Sequence, residues 1–290
     1  MKIPTFSDHF SDVNGQRIGF STAGTGDPVL LLHGFPQTRA MWHSIAPVLA
    51  ENYCVIASDL RGYGQSSKPP DMSDYSFRNL AQDQRALMQD LGHDSFHVIG
   101  HDRGARTAHR LALDAPDAVR SLTVMDIVPT YVLLSELNCE VASAYYHWFF
   151  LAQPEPFPET LIMADPDFYF ESCLLGWGGA KLTDFNQGAL NAYRTAWSDP
   201  DTIRGMCNDY RAALFHDFAD DQMDLDKRVH CPALVLYGRD GVMAQHYDVA
   251  RTWLQRFTNM QAAAVPGGHF FPDTNPKDTT DALREFLQRF

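Results

Sequence analysis

Five short runs of this chain are apolar almost end to end, and each stops at a turn or polar residue. They are Pro28–Leu32 before His33-Gly34, Tyr53–Ala57 before Ser58-Asp59, Phe96–Ile99 before Gly100, Ser121–Met125 before Asp126, and Ala233–Tyr237 before Gly238. A strand with one face in water alternates apolar and polar residues, whereas a strand covered on both faces does not. These runs therefore read as strands of a mostly parallel sheet packed on both sides. Leu80–Leu91 and Ala105–Leu113 lie between them with helical spacing. The pattern predicts an α/β fold with a doubly wound sheet.

One region breaks this rhythm. From about Pro129 to about Phe215 there is no buried-strand run, aromatics such as Tyr145, Trp148, Phe170 and Trp177 are dense, and Pro154, Pro156 and Pro158 interrupt the chain. We read 129–215 as a helical insertion into a core domain made of 1–128 and 216–290, either a flank that only completes the core or a cap domain over the site. An insertion after a strand's carboxyl end lies over the sheet edge where open α/β sheets bind ligands.

Composition narrows the function. The 290 residues are 45% apolar and 20% charged, ordinary for a globular protein. The net charge of −13, without basic blocks, argues against a nucleic-acid partner. An anionic substrate would need local positive charge. Met1–Phe10 has no apolar signal region, and no apolar stretch approaches the ~20 residues that span a bilayer, so no membrane partner is expected. Cys54, Cys139, Cys173, Cys207 and Cys231 are scattered and lack a C-x-x-C pair. Neither a disulfide framework nor a zinc site is expected, and a reducing cytoplasm is the natural compartment.

The sharpest local pattern is Val98-Ile99-Gly100-His101-Asp102-Arg103-Gly104-Ala105-Arg106. A buried strand runs into G-x-D-x-G and a helix follows, the frame of a nucleophile elbow with aspartate at its centre. So sharp a turn leaves no room for neighbouring Cβ atoms, hence the flanking glycines. It lifts Asp102 over the sheet edge at a helix N-terminus, where free N–H groups and the helix dipole suit an anion. An ordinary aspartate N-cap would need neither glycine.

Three more segments complete the pattern: His33-Gly34-Phe35-Pro36, Asp59-Leu60-Arg61-Gly62-Tyr63-Gly64-Gln65-Ser66, and Gly267-Gly268-His269-Phe270. With the elbow, the chain resembles the α/β-hydrolase superfamily over its whole length. The resemblance makes His33–Pro36 the oxyanion loop, with the main-chain N–H groups of Phe35 and Arg103 as donors. It makes Asp59–Ser66 a structural turn and His269 the catalytic histidine, in the family's order of nucleophile, acid, histidine. No G-x-S-x-G occurs, so esterase, lipase and peptidase readings lose their nucleophile. A carboxylate can displace a leaving group from an sp3 carbon and form an alkyl-enzyme ester. Within this superfamily that chemistry belongs to dehalogenases and epoxide hydrolases.

The substrate is narrowed by three features. Arg103 and Arg106 stand one and four residues after Asp102, where helical spacing can bring both to one face. Arginine forks hold carboxylates bidentately, although Arg106 paired with a core acid is the plainer alternative. Tyr146-His147-Trp148-Phe149 offers indole and imidazole donors for a departing halide, or simply packing. Tyr210, in Asn208-Asp209-Tyr210-Arg211, is either a third donor or an ordinary tyrosine.

The elbow H-D-R-G-A-R, Asp126–Tyr131, the Y-H-W with Leu151–Pro154, and Asp209–Arg211 are together similar to the fluoroacetate (haloacetate) dehalogenases. The resemblance implies Arg103 and Arg106 as binders of the substrate carboxylate, and His147, Trp148 and Tyr210 as the halide pocket. It implies a small anionic haloacid substrate, a homodimer, and neither metal nor organic cofactor. Haloalkane dehalogenases usually place Trp directly after the nucleophile, so Arg103 argues against a neutral haloalkane. Two residues compete as triad acid: Asp126 fits the haloacetate dehalogenases, and Asp240 sits where many α/β-hydrolases keep theirs. The rival enzyme is an epoxide hydrolase using Tyr146 or Tyr210 as acid. A non-catalytic ligand-binding scaffold is the rival of another class, and intact Asp102 and His269 argue against it.

Overall fold

A computed structural model describes residues 2–177 and 179–290. The eight strands are β1 (Ser7–Val13), β2 (Gln16–Ala23), β3 (Asp27–Leu32), β4 (Tyr53–Ser58), β5 (Phe96–His101), β6 (Val119–Met125), β7 (Ala233–Gly238) and β8 (Met260–Val265). They form one sheet in the order β1-β2-β4-β3-β5-β6-β7-β8. Pairing is parallel from β4 across to β8, while β1 and β2 are antiparallel to their neighbours.

The five apolar runs are β3 to β7. Three strands, β1, β2 and β8, lie outside that expectation, the two outermost for a common reason. β1 and β8 are edge strands with residues in water, and β8 exposes Gln261, Ala262 and Ala264. Strands of this kind do not carry the double-sided apolar signature. β1 and β2 join at Asn14-Gly15, both at positive φ (51° and 72°), as a tight hairpin requires.

Register brings the site together. Leu32 pairs with Gly100, His101 with Met125, and Met125 with Leu236. The carboxyl ends of β3, β5, β6 and β7 therefore leave the sheet at one level. The chain reverses direction across the sheet between β3 and β5, and the crevice at such a switch point is where these sheets bind ligands.

Among the described residues, no strand lies between β6 and β7. Helices run from Thr130 to Met223, including Tyr146–Leu151, Pro166–Gly176, Gln187–Trp197 and Pro200–Ala212. The helical stretch does not end near Phe215: a π turn, Ala213–Asp217, carries it into Phe218–Met223. Trp148, Phe170, Trp197 and Tyr210 are buried within the insertion. No described helix is long and apolar enough to cross a membrane.

Candidate active site

The β5 turn forces Asp102 to φ 47°, ψ −113°. The glycines on either side are required by contact. A Cβ on Gly100 would lie 2.4 Å from the Gly104 carbonyl oxygen, and one on Gly104 would lie 2.4 Å from the carbonyl oxygens of Leu32 and His33. Gly34 is equally constrained, since its Cβ would fall 2.6 Å from the Asp102 Cβ. The helix Arg103–Asp114 starts directly after Asp102. Its first N–H, that of Arg103, has no carbonyl four residues back within the helix. The Phe35 N–H donates to Asp102 Oδ2 at 3.0 Å.

Burial alone would raise the Asp102 carboxyl. The charge of His269, with those of Arg103 and Arg106 behind it, outweighs it and holds the pKa below the ordinary carboxylate value. Asp102 is thus kept as the anion that a nucleophile must be.

His269 follows β8. Its Nδ1 lies 2.7 Å from Asp126 Oδ2, while Asp126 Oδ1 accepts the Gly238 N–H at 2.8 Å. Burial would lower the imidazole pKa, but the Asp126 hydrogen bond and charge, with Asp102 behind them, raise it. Asp240 is half exposed and accepts the Gly267 N–H at 2.9 Å. Of the two competing acids, the structure brings Asp126 to the histidine. The His269 main chain is held twice more. Its N–H donates to the Trp177 carbonyl at 2.9 Å, and its carbonyl accepts from His101 Nε2 at 2.9 Å. A carbonyl only accepts, so His101 carries its proton on Nε2. Burial and the nearby His269 charge keep His101 neutral, its pKa pushed down to about 4.

The two arginines are not equivalent. Arg103 is fully buried and grips Asp209: Nε to Oδ2 at 2.8 Å and Nη2 to Oδ1 at 2.5 Å. Much of the expected carboxylate fork is therefore already engaged, and Nη1 is left without a protein partner. Arg106 donates Nη1 to the Val128 carbonyl at 3.1 Å and to Thr130 Oγ1 at 3.0 Å. Among the described residues it forms no ion pair with a core acid. Burial pushes its pKa down to about 10 against the pull of Asp102, which leaves it charged at neutral pH.

His147 and Trp148 lie side by side on Tyr146–Leu151 and meet Tyr210 across the insertion. Ring centroids are 5.4 Å apart for His147 and Tyr210 and 5.3 Å for Trp148 and Tyr210. Phe35 stacks on His147 at 5.8 Å, which sets this group over the His33–Pro36 loop. His147 Nδ1, Trp148 Nε1 and the Tyr210 hydroxyl are all buried without a protein partner. Burial drives the His147 pKa well down and the Tyr210 pKa well up, so the ring is neutral and the phenol keeps its proton. Trp177 Nε1 donates to the Ala144 carbonyl at 3.0 Å and is not a free donor. Tyr146 points outward and is half exposed.

Sequence reasoning missed Asp209, Tyr63, Thr130 and His101. Asp209 accepts the Tyr63 hydroxyl at 2.7 Å besides Arg103. The available signal was an acid inside an otherwise apolar helix face, which demands a buried cation. The Asp59–Ser66 turn is held by its own acid: Asp59 accepts the main-chain N–H groups of Arg39 and Gln65, each at 2.9 Å.

Comparison with known proteins gives the chain a family. A family model described as the alpha/beta hydrolase fold matches residues 27–276. The chain belongs to the α/β-hydrolase family. It is 51% identical over 285 residues to a fluoroacetate dehalogenase from Burkholderia sp., covering 97% of this chain and 94% of that one. A soluble epoxide hydrolase from Corynebacterium sp. (strain C12) is 32% identical over 285 residues, 96% of each chain. A crystal structure from Nostoc sp PCC 7120, provisionally assigned as an alpha/beta hydrolase, matches with a TM-score of 0.96 at 46% identity, covering 99% of each chain.

Proposed function

We propose that this protein is a hydrolytic dehalogenase of short 2-haloacids, converting haloacetate and water to glycolate and halide through an ester on Asp102. One observation carries the reading. A strained, anionic aspartate stands beside two buried arginines, near three buried polar groups of His147, Trp148 and Tyr210 that no protein atom engages.

In this mechanism Asp102 Oδ1 attacks the α-carbon, the carbon–halogen bond breaks, and the halide departs toward His147, Trp148 and Tyr210. Arg106 and the remaining Nη1 of Arg103 hold the substrate carboxylate and offset two converging negative charges. His269 then takes a proton from water, and the resulting hydroxide adds to the ester carbonyl. The oxyanion forms on Oδ2, where the Phe35 N–H already donates, with the Arg103 N–H as second donor. Collapse expels glycolate, whose alkoxide oxygen takes the proton of the added hydroxyl, and restores the carboxylate, while His269 gives up the proton it took from water to solvent. Asp126 fixes the His269 tautomer and supports its cation. Residues 129–215 act as the cap that closes this site, and the five unpaired cysteines suit a reducing cytoplasm. The reading includes a homodimer.

Epoxide hydrolysis is the second reading, favoured by the Corynebacterium relative and by the free Tyr210 hydroxyl. It leaves the arginine pair without a task, and the half-exposed Tyr146 is not at hand as a second acid. The deciding assay compares halide release from fluoro-, chloro- and bromoacetate with diol formation from styrene oxide. A single turnover in ¹⁸O-water should label the Asp102 carboxylate before glycolate. Label entering glycolate alone would exclude the ester.

A further inference from the structure

The helix Gln187–Trp197 carries Tyr193 and Trp197 four residues apart, hence on one face. That face meets the loop that supplies the Phe35 N–H. Trp197 Nε1 donates to the Pro36 carbonyl at 2.6 Å. The Tyr193 hydroxyl donates to Asp273 Oδ2 at 2.7 Å. Gln37 Nε2 donates to the same oxygen at 3.1 Å and to the Tyr193 hydroxyl at 3.4 Å. The Gln37 N–H closes a turn onto the Gly34 carbonyl at 3.0 Å, with Phe35 and Pro36 between them. Asp273 lies on Phe271–Thr274, directly after the His269 loop. Gln37, Tyr193, Trp197 and Asp273 are all buried.

We propose that Tyr193, Gln37 and Asp273 form a latch through which the helical insertion sets the position of the Phe35 N–H, making them positioning residues for hydrolysis of the Asp102 ester. The proposal rests on the ester mechanism above. Three arguments support it. Burying an amide, a phenol and a carboxyl together is costly, and apolar packing would fill the same space with less loss. Directed hydrogen bonds fix one geometry, as apolar packing does not. Here two donors converge on Asp273 Oδ2, while Asp273 Oδ1 and Gln37 Oε1 have no hydrogen-bond partner and His43 Nδ1 lies 3.8 Å from Asp273 Oδ1. Finally, the latch sits two residues from Phe35 on a closed turn, so a shift at Gln37 moves the donor.

The chemistry says which step should respond. In the first step charge leaves Asp102 for the halide, and a donor on Oδ2 gains nothing as the barrier is climbed. In the second, charge builds on Oδ2 itself. Only that step is accelerated by an N–H that strengthens in its transition state.

Rapid-quench kinetics with chloroacetate separate the steps: the chloride burst reports ester formation, and intact-protein mass follows loss of the ester. Tyr193→Phe and Asp273→Leu should slow ester loss by roughly 10- to 100-fold, the usual result of misplacing a catalytic group by about 1 Å. The burst should stay near the wild-type rate. Asp273→Asn keeps an acceptor oxygen for both donors and should recover most of what the Leu variant loses. Equal slowing of both steps, or unchanged ester loss in Tyr193→Phe, overturns the latch. If Asp273→Leu fails to fold, Tyr193→Phe decides alone. Absence of chloride release from the wild type overturns the dehalogenase reading, and the latch with it.

Discussion

Arg103 clasps Asp209 from two sides, Nε at 2.8 Å from Oδ2 and Nη2 at 2.5 Å from Oδ1, with neither side chain in contact with solvent. Arg103 thus reaches the site with its charge already balanced, whereas Arg106 brings an unbalanced one. Asp209→Ala should destabilise the fold by about 3–5 kcal/mol, because it strands a buried guanidinium. Urea denaturation measures this, and a loss under about 1 kcal/mol would mean the pair is dispensable.

Arg106→Ala should act on the substrate carboxylate and spare the fold more. Losing one charged partner of a desolvated anion costs roughly 2–5 kcal/mol, about 30- to 5,000-fold in kcat/KM for haloacetate. The ratio of fluoride to chloride release should barely change. Normal haloacetate kinetics in the variant would remove Arg106 from the site.

The two rival acids are separable by substitution. Asp126→Asn deprives His269 of the partner that sets its tautomer, and the equivalent change in a serine triad lowers turnover about 10⁴-fold. Asp240→Asn alters a half-exposed side chain bonded to Gly267 and should lower turnover only slightly. Comparable losses in both variants would contradict the assignment.

The leaving-group donors should show themselves through the halogen. Fluoride is small and leaves poorly, so it depends on directed donors as charge develops, while bromide needs fewer. One well-aimed donor in a dry site is worth roughly 2.7–4 kcal/mol. Trp148→Phe should therefore cut fluoroacetate turnover at least ~10-fold more than bromoacetate turnover under single-turnover conditions. Tyr210→Phe should show the same sign. Equal losses for the two substrates point to packing.

Asp273 should tie stability to pH. Burial, against the hydrogen bonds from Tyr193 and Gln37, raises its pKa to about 7 in the folded chain. Below about pH 4 the carboxyl is protonated in both states and pH has no hold on it. From about pH 4 to pH 7 the unfolded chain ionises first, so the folded state loses ground as pH rises. Above about pH 7 both states are ionised and the penalty is constant. Asp273→Asn removes the effect, so its Tm advantage over wild type should widen across that window and then level. Thermal melts across the range test this, and an advantage that shrinks with rising pH refutes it.

What the sequence revealed follows from how each feature is written into it. Covered strands advertise themselves by composition, so β3 to β7 were readable, whereas β1 and β8 share their residue types with loops. The elbow was readable because close backbone approach admits only glycine at 100 and 104. Partnerships across the fold leave no such trace. Arg103 and Asp209 are 106 residues apart, and Gln37 and Asp273 are 236 apart. Neither residue of such a pair names the other until the segments are brought together. Arg103 therefore read as a free carboxylate fork, and Asp273 did not read as anything.

The His269 N–H bonded to the Trp177 carbonyl has a consequence for exchange between relatives. In the proposed mechanism the base, His269, hangs by its main chain from the helical insertion that acts as the lid. No side-chain substitution removes that tether, and no foreign lid supplies it unless its backbone passes the same point. Swapping caps to widen substrate range would therefore disturb the proton acceptor as well as the pocket. Chimeras that splice at the ends of β6 and β7 should lose activity on small, well-accommodated acids too, and transplanting individual side chains is the safer route to new specificity.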